Sequence, residues 1–414
     1  MNTKSPTLLK KIPRGQIAYI ACMGLFVGMI CSKFLMTISM ISFVVSGVFS
    51  PSIKKDFRKF RSNPAYWAPV GMFILFLVSA LCSTNLEAGI IRIRIALPLL
   101  VLPISFAMMP NFSKQHYQQL LSIFIYAMLL ACIGVLIYYL INYAEMQERL
   151  RVSKAIATPN DEHIRFSLMI TLAVFAGFWL LQEKFYWKKK FEKWVLIFSI
   201  LFLIFMVHLL SVRIAIGVFY SGLLVTVLYY IVRKKRYKTG LILLGLGACT
   251  PYLSYQYIPS VHSKVHLTLY NLDMYKKGHI GELSDTRRLL SYKIAWQVGQ
   301  TAPWTGVGIG DLKDEQAVIY EKEYPDQKVM YPHNFFLTIY AATGILGLCF
   351  FLFCFFFPLF YNRNYQNLFF LLFFVTIFLS FMTENTLLMA IGVAIYSFFL
   401  LFSINYLSGE SKIN

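Results

Sequence analysis

Long apolar runs, separated by short polar segments, organise most of the chain. About 20 mostly apolar residues in helical form are enough to cross the hydrocarbon core of a bilayer. On this criterion the sequence predicts twelve transmembrane helices, and the fold class is an all-α polytopic membrane protein. The predicted segments are 16–32, 34–50, 65–83, 89–109, 117–143, 163–182, 193–210, 212–232, 239–258, 333–360, 366–382 and 386–406.

One polar stretch, residues 259–332, is much longer than the others. Within it, residues 285–300 place Leu289, Tyr292, Ala295 and Trp296 on one face of a helix. The sequence PWTGVGIG follows and is typical of turns. We therefore expect three parts in the chain. They are helices one to nine with basic cytoplasmic loops (1–258), a partly helical loop domain on the non-cytoplasmic side (259–332), and helices ten to twelve with a cytoplasmic tail (333–414).

Composition agrees with a membrane protein. Only 14% of the residues are charged and 58% are hydrophobic, whereas soluble domains carry about 25% charged residues. The formal net charge of +20 could indicate a nucleic-acid-binding surface, but the basic residues form short clusters between apolar segments. Such clusters mark the cytoplasmic side of a membrane protein. The clusters are the basic N-terminus, Lys54, Lys55, Arg58, Lys59 and Arg61, then Lys184, Lys188, Lys189, Lys190 and Lys193, then Arg233, Lys234, Lys235, Arg236 and Lys238.

This pattern predicts a multi-pass membrane protein with both termini in the cytoplasm. The long loop then faces the non-cytoplasmic side, where its balanced charge fits a translocated segment. We expect membrane lipids as surroundings and no nucleic acid as a partner.

Ionisable side chains at the ends of predicted helices are the candidates for chemistry, because charge at the membrane is costly. Arginines at such ends can also snorkel to the interface, and a loop arginine can simply be solvated. In the predicted topology the candidates gather on the non-cytoplasmic side. Arginine suits phosphate oxygens better than lysine does, so arginines with a histidine at this boundary indicate an anionic, lipid-linked substrate. The candidate residues are Arg92, Arg94, Arg213, Arg287, Arg288, His333, Asn334 and Glu384.

Three stretches resemble motifs of the O-antigen ligase and polymerase superfamily. They are SVRIAIGVF, TRRLLSYKIAWQVGQTAPWTGVGIG and PHNFFLTIYAATGILGL. The second is similar to the family pattern of an arginine, an amphipathic helix and P-x-x-G-x-G-x-G. The third is similar to H-N-x-x-L followed by G-x-x-G, here Gly344 and Gly347. The resemblance covers the C-terminal half of the chain. Segments one to five match only in hydropathy and in the arginine-bearing start of segment four.

The resemblance implies glycosyl transfer without a metal or other cofactor, in a bacterial inner membrane with the loop domain 259–332 in the periplasm. The donor is a glycan on undecaprenyl diphosphate, and in the ligase the acceptor is a sugar hydroxyl of lipid A–core. The essential arginines of the family correspond to Arg213 and Arg288, and its essential histidine to His333, so these three are the predicted catalytic residues. The predicted substrate-binding residues are Arg92, Arg94, Arg287, Asn334 and Glu384. Arginines can stabilise the departing diphosphate, and the histidine can accept the hydroxyl proton. A single in-line displacement implies inversion at the anomeric carbon.

Three alternatives to the ligase stay open. The related polymerase extends the lipid-linked glycan and usually has two sizeable external loops, whereas the second loop here, 144–162, is short. A protein O-glycosylating ligase of the same superfamily uses Ser or Thr as the acceptor. A transporter or flippase is an alternative of another class, but such proteins often show repeats and midplane charges. The sequence shows neither, so we expect an enzyme.

Overall fold

The computed structural model describes residues 14–48, 53–109, 112–151, 155–185, 189–277 and 284–410, and within these ranges it contains helices and no strands. The basic N-terminal segment 1–13, Lys188, and residues 49–50 of predicted segment two lie outside the described residues. The helices are α1 (Arg14–Cys31), α2 (Lys33–Val48), α3 (Ile53–Ser62), α4 (Trp67–Leu81), α5 (Leu86–Ala96), α6 (Pro98–Met108), α7 (Lys114–Ile141), α8 (Tyr143–Arg151), α9 (His163–Gln182), α10 (Glu192–Leu210), α11 (Arg213–Leu228), α12 (Tyr237–Tyr257), α13 (Pro259–Lys276), α14 (Ser284–Thr301), α15 (Leu312–Glu323), α16 (Phe335–Phe360), α17 (Leu368–Thr383) and α18 (Ala390–Glu410).

Within the described part of the chain, nine helical stretches are long and apolar enough to cross a membrane. They are Arg14–Cys31, Pro64–Leu81, Leu86–Met108, Lys114–Ile141, His163–Gln182, Glu192–Leu210, Arg213–Arg233, Phe335–Gln366 and Ala390–Gly409. The apolar helices α2 and α17 are shorter, and α12, at predicted segment nine, is not among the nine. The prediction of an all-helical, multi-pass membrane protein is confirmed, whereas the count of twelve spans is not.

Two helices form the centre of the bundle. The span at α18 is 89% buried and that at α9 is 78% buried, whereas the flanking spans bury about half or less of their residues. Aromatic rings fill the space beside α18, where Tyr117 of α7 stacks on Phe402 and Tyr406 with ring centroids 4.4 and 4.1 Å apart. Membrane helices associate through such packing because lipid offers no hydrophobic driving force between them. The centre of the bundle is therefore closely packed with aromatic side chains.

The long polar stretch folds into helices at one end of the bundle. The predicted helix 285–300 is α14, and α13 and α15 precede and follow it. Leu290 and Ile294 of α14 form a small core with Tyr320 of α15, while α14 also packs along α16. We call the end of the bundle that carries α13, α14 and α15 the loop end.

The PWTGVGIG turn fastens the loop end to α16 by main-chain hydrogen bonds. The amides of Val307 and Gly308 donate to the carbonyls of Ala341 and Ala342 at 3.0 and 2.9 Å. Gly308 has φ +99° and Gly306 has φ +71°, a left-handed region that favours glycine. A side chain at Gly306 would also collide with the α16 backbone. The glycines of the predicted turn thus allow the backbone of the turn to contact the backbone of α16.

Side chains of the first half of the chain hold the other end of this turn. The Ser79 hydroxyl accepts from the amide of Ile309 at 2.9 Å, and the Ser83 hydroxyl accepts from that of Gly310 at 3.0 Å. The Asp311 carboxylate then accepts from the amides of Thr84 and Asn85, both at 2.7 Å. These bonds fix the loop end to the connection between α4 and α5, and α5 carries Arg92.

Candidate active site

Glu384 is the meeting point of two predicted catalytic residues. It ends α17 with an extended backbone (φ −150°, ψ 151°), and its side chain is only 12% exposed. Its Oε1 lies 3.4 Å from Nη2 of Arg288 and 3.5 Å from Nδ1 of His333. Residues from α14 and from the segment before α16 therefore contact one carboxylate oxygen at the end of α17.

Arg213 reaches the same helix from another direction. Helix α10 ends at Ser211, whose φ of +50° is left-handed, and Val212 is extended, so α11 starts with Arg213 at the loop end. Its Nη1 lies 2.6 Å from Oδ1 of Asp285. Asp285 is in the first turn of α14, three residues before Arg288. Arg288 of α14 and Arg213 of α11, the two predicted catalytic arginines, therefore both lie near the N-terminal end of α14.

Asp285 is held as a carboxylate by its neighbours. Burial alone raises its pKa, but hydrogen bonds from Asn271 (2.8 Å) and Arg213, together with the charges of Arg213 and Arg288, lower the pKa below its ordinary value of 3.8. Its position in the first turn of α14 also favours a negative charge there. Asp285 is therefore ionised and holds the Arg213 side chain in place.

Both arginines keep donors for a substrate. Each guanidinium contacts its carboxylate through one nitrogen, and the side chains of Arg213 and Arg288 are 43% and 35% exposed. A guanidinium carries five N–H donors in a rigid fork. The arrangement can bind an anion with several oxygens, such as a diphosphate, while the carboxylates hold the arginines in place.

Hydrogen bonds on both sides fix the backbone around His333. The Tyr292 hydroxyl of α14 donates to the His333 carbonyl at 2.7 Å, and Nδ2 of Asn385 donates to the Pro332 carbonyl at 2.6 Å. Burial raises the pKa of Tyr292, so its hydroxyl remains a donor. The next residue, Asn334, caps α16 by accepting from the Leu337 amide at 3.1 Å. The Asn334 oxygen thus has a structural role, in addition to the predicted substrate-binding one.

The predicted arginines of α5 differ from each other. Arg92 donates from Nη2 to the Tyr331 hydroxyl at 2.8 Å, and its guanidinium carbon lies 5.0 Å from the centroid of the Tyr331 ring. It therefore holds the end of the loop domain. Arg94 is exposed, about 200° around the helix from Arg92. Among the described residues, neither Arg94 nor the exposed Arg287 forms a side-chain hydrogen bond or ion pair, so these two predicted residues are not joined to the cluster.

His163 and Lys264 belong to the same neighbourhood, and the sequence interpretation missed both. His163, the half-buried first residue of α9, interacts electrostatically with Glu384, Lys264 and Arg288. Burial and the positive charge of Arg213 lower the pKa of Lys264, whereas the negative charge of Asp285 raises it. His163 carried a usable signal, since it is an ionisable residue at the loop end of a predicted helix. Lys264 had no such signal, because nothing in its local sequence distinguishes it from a solvated lysine.

The part of the chain that the structure describes contains no group of three or more His, Cys, Asp or Glu side chains that could hold a metal ion.

The fold and this cluster define a class, namely a multi-pass membrane protein with arginines, acids and histidines gathered at one end of its helical bundle. Residues 197–352 match the family model of O-antigen ligase. The matched region contains Arg213, Arg288 and His333. Over these residues the match confirms the predicted resemblance to the O-antigen ligase and polymerase superfamily. A search of curated proteins found no significant relative. Members of the matched family are membrane glycosyltransferase-like enzymes.

Proposed function

We propose that the chain is an O-antigen ligase, which transfers a glycan from undecaprenyl diphosphate to a sugar hydroxyl of lipid A–core. The observation that carries the proposal is the contact of one Glu384 oxygen with both Arg288 and His333. It puts a cation suited to a diphosphate and an imidazole suited to a hydroxyl proton side by side. A glycosyl transfer from a lipid diphosphate requires both.

In the proposed reaction Arg213 and Arg288 bind the donor diphosphate. The acceptor oxygen attacks the anomeric carbon as its proton passes to Nε2 of His333, and a new glycosidic C–O bond forms. The anomeric C–O bond to phosphate breaks, and its electron pair leaves with undecaprenyl diphosphate. Glu384 beside Nδ1 stabilises the imidazolium that results. One displacement inverts the configuration of the anomeric carbon.

The distribution of charge supports a periplasmic site in an inner membrane. Arg213 begins α11 at the loop end, and the basic cluster from Arg233 to Lys238 follows the other end of the same stretch. Basic clusters mark the cytoplasmic side. The loop end, with Arg288 and His333, is then periplasmic, where lipid A–core and the lipid-linked glycan meet in the outer leaflet.

Deletion of the gene and analysis of glycolipids test the proposal. A ligase predicts loss of polymer on lipid A–core with polymer accumulating on the carrier lipid. Loss of all long polymer indicates the polymerase instead, and unchanged lipopolysaccharide with a missing glycoprotein indicates the protein O-glycosylating ligase. Normal amounts of all three products contradict glycan transfer and favour a transporter. Complementation with Arg287→Ala, a change of an exposed neighbour of Arg288, is the matched control for complementation with Arg288→Ala.

A further inference from the structure

A polar cavity of about 350 Å³ lies at the end of the bundle opposite the loop end. Helix α16 runs from the loop end to this end, and the 3₁₀ connection Tyr361–Gln366 then leads into α17, which returns to the loop end. The connection forms one wall of the cavity, and the other walls come from residues just before α4 and from the last turns of α18. The volume is within the usual range of small-molecule sites. Five lining residues carry side-chain amides, namely Asn63, Asn362, Asn364, Gln366 and Asn367.

Three of these amides hold the walls of the cavity together. Nδ2 of Asn63 donates to the Ser408 hydroxyl at 2.8 Å and so joins the start of α4 to α18. Nδ2 of Asn364 donates to the Pro358 carbonyl at 2.9 Å, near the end of α16. Asn367 caps α17 with its side-chain oxygen. The walls are therefore set before a ligand binds, which lowers the ordering cost of binding.

The other polar side chains of the connection are available to a ligand. Among the described residues, the side chains of Asn362, Arg363 and Gln366 form no hydrogen bond or ion pair. Asn362 and Arg363 also have left-handed backbones, with φ 49° and 58°. Such strain costs free energy in non-glycine residues and is common in segments that bind ligands. The cavity thus presents a guanidinium with five donors beside amides that both donate and accept.

This set of groups fits a phosphate ester that also carries hydroxyls. A guanidinium binds phosphate oxygens through two parallel hydrogen bonds, and amides exchange hydrogen bonds with hydroxyl groups. Asn367 places the cavity at the N-terminus of α17, where the helix dipole favours a negative charge. The described lining contains no acidic side chain to oppose that charge.

Exposed aromatic side chains surround the cavity. Phe360, just before the connection, is 64% exposed, and its ring centroid lies 6.2 Å from that of Tyr365. Phe353, about two turns earlier on α16, and Trp67, the first residue of α4, are also exposed. Exposed aromatic residues near helix ends mark the boundary between hydrocarbon and water. A ligand in the cavity can therefore keep acyl chains in the bilayer along the exposed face of α16.

We propose that this cavity binds the headgroup of an anionic glycerophospholipid. Arg363 binds the phosphate, and the amides of Asn362 and Gln366 bind the headgroup hydroxyls. In the orientation proposed above this end of the bundle is cytoplasmic, so the lipid comes from the cytoplasmic leaflet. Basic pockets between membrane helices on that side are known to bind anionic headgroups. The inference does not depend on the proposed glycan transfer.

The test measures lipid binding to the full-length protein in detergent by native mass spectrometry. Phosphatidylglycerol is compared with phosphatidylcholine of identical acyl chains, whose trimethylammonium group can neither donate nor accept a hydrogen bond. The first phosphatidylglycerol should bind about tenfold or more tightly, as expected for one charge-assisted hydrogen bond. Arg363→Gln should remove most of this preference. Arg363→Lys keeps the charge without the planar fork and should retain part of it.

Two further variants separate the cavity from general surface charge. Arg58→Gln is the matched control, because it removes an equal charge from an exposed position of α3 at the same end of the bundle, outside the lining. It should keep the full preference for phosphatidylglycerol. Asn362→Gly retains a left-handed backbone while removing one amide. It should weaken phosphatidylglycerol binding and leave phosphatidylcholine binding unchanged.

Glycerol 1-phosphate separates a lipid from a soluble phosphate ester. Titration calorimetry should show that it binds much more weakly than phosphatidylglycerol, because it lacks the acyl chains. If it binds as tightly and Arg363→Gln abolishes that binding, the ligand is a soluble phosphate ester and the lipid proposal is overturned. Equal affinities for the two lipids, or equal effects of Arg363→Gln and Arg58→Gln, overturn it as well. These measurements involve no glycan transfer, so their failure leaves the proposed function untouched.

Discussion

Nδ1 of His333 lies 3.5 Å from Oε1 of Glu384, a carboxylate that is 12% exposed and also contacts Arg288. A carboxylate at Nδ1 favours the tautomer that has its proton there and leaves Nε2 free to accept one. Helix α17 ends just before Glu384, and α16 begins just after His333. The contact therefore depends on two helix ends that are distant in sequence.

From this contact we predict that Glu384→Gln lowers kcat for glycan transfer by about tenfold to a thousandfold, within the range of acid–base effects. The amide preserves the shape but cannot stabilise the imidazolium. KM for the donor should change much less. Steady-state kinetics with the lipid-linked donor measure both constants. Glu321→Gln, a change of an exposed acid on α15, should leave both unchanged. An equal rise in KM with constant kcat would show that Glu384 acts in binding instead.

The neighbours Arg287 and Arg288 provide a second prediction. Arg288→Ala should lower the transfer rate by about 10²- to 10³-fold, as expected for losing one group that stabilises developing charge. Arg288→Lys should restore little, because an ammonium lacks the planar fork. Arg287→Ala should be near wild type, since Arg287 is exposed. Initial rates of the purified variants decide this, and similar losses in both alanine variants would contradict the assignment.

The Arg213–Asp285 pair makes the loop end sensitive to acid. The pKa of folded Asp285 is below 3.8, so its stabilising contribution is complete above the pKa of the unfolded carboxyl. This contribution to stability is lost as the pH falls through the lower pKa of Asp285 in the folded state. Asp285→Asn should therefore lower the melting temperature at pH 7, and the difference from wild type should shrink at low pH. Thermal unfolding from pH 7 to pH 3 tests this, and a difference that grows in acid would contradict it.

Gly344 should be essential for fastening the turn to α16. Gly344→Ala adds a Cβ at φ +65° that collides with the Trp304 backbone. We therefore expect the free energy of unfolding to fall by at least about 1–3 kcal/mol. Gly217→Ala is the matched control, because a Cβ there meets nothing within 4 Å. Melting temperatures in detergent compare the two. A Gly344→Ala protein as stable as Gly217→Ala would show that the turn is not held as described.

Arg14 should stabilise the end of the bundle opposite the loop end. Its guanidinium donates to the carbonyls of Ser46 (2.7 Å), Gly47 (3.2 Å) and Met108 and contacts Asp56. Arg14→Ala removes the donor from these acceptors, which should lower the free energy of unfolding by about 1–3 kcal/mol. Transfer activity per folded molecule should be retained. Thermal unfolding measures the loss, and an unchanged melting temperature would contradict this role.

Hydropathy was sufficient to locate the long apolar helices, because apolar length is the main requirement for a membrane span. Periodicity also located α14, and the glycines of PWTGVGIG indicated its turn. The span count was less certain, because α2 and α17 are short and α12 is less apolar than the nine spans. Length and composition alone do not decide such cases.

Charge near helix ends selected Arg213, Arg288, His333 and Glu384 as candidates, but it did not indicate how their side chains pair. The sequence did not distinguish Arg92, which binds Tyr331, from exposed Arg94. It did not show that Asn334 caps α16 or that His163 lies near Glu384. These relations join residues far apart in the chain. They depend on how helices pack, which local patterns do not determine.

We propose that Arg213, Arg288 and His333 form one site for glycan transfer. The most direct test is the transfer rate of purified His333→Ala from an undecaprenyl-diphosphate-linked glycan to lipid A–core, with inorganic diphosphate binding measured on the same sample. We expect a rate about 100-fold or more below wild type, with diphosphate binding preserved by the arginines. A folded His333→Ala protein that transfers glycan at the wild-type rate would contradict this proposal.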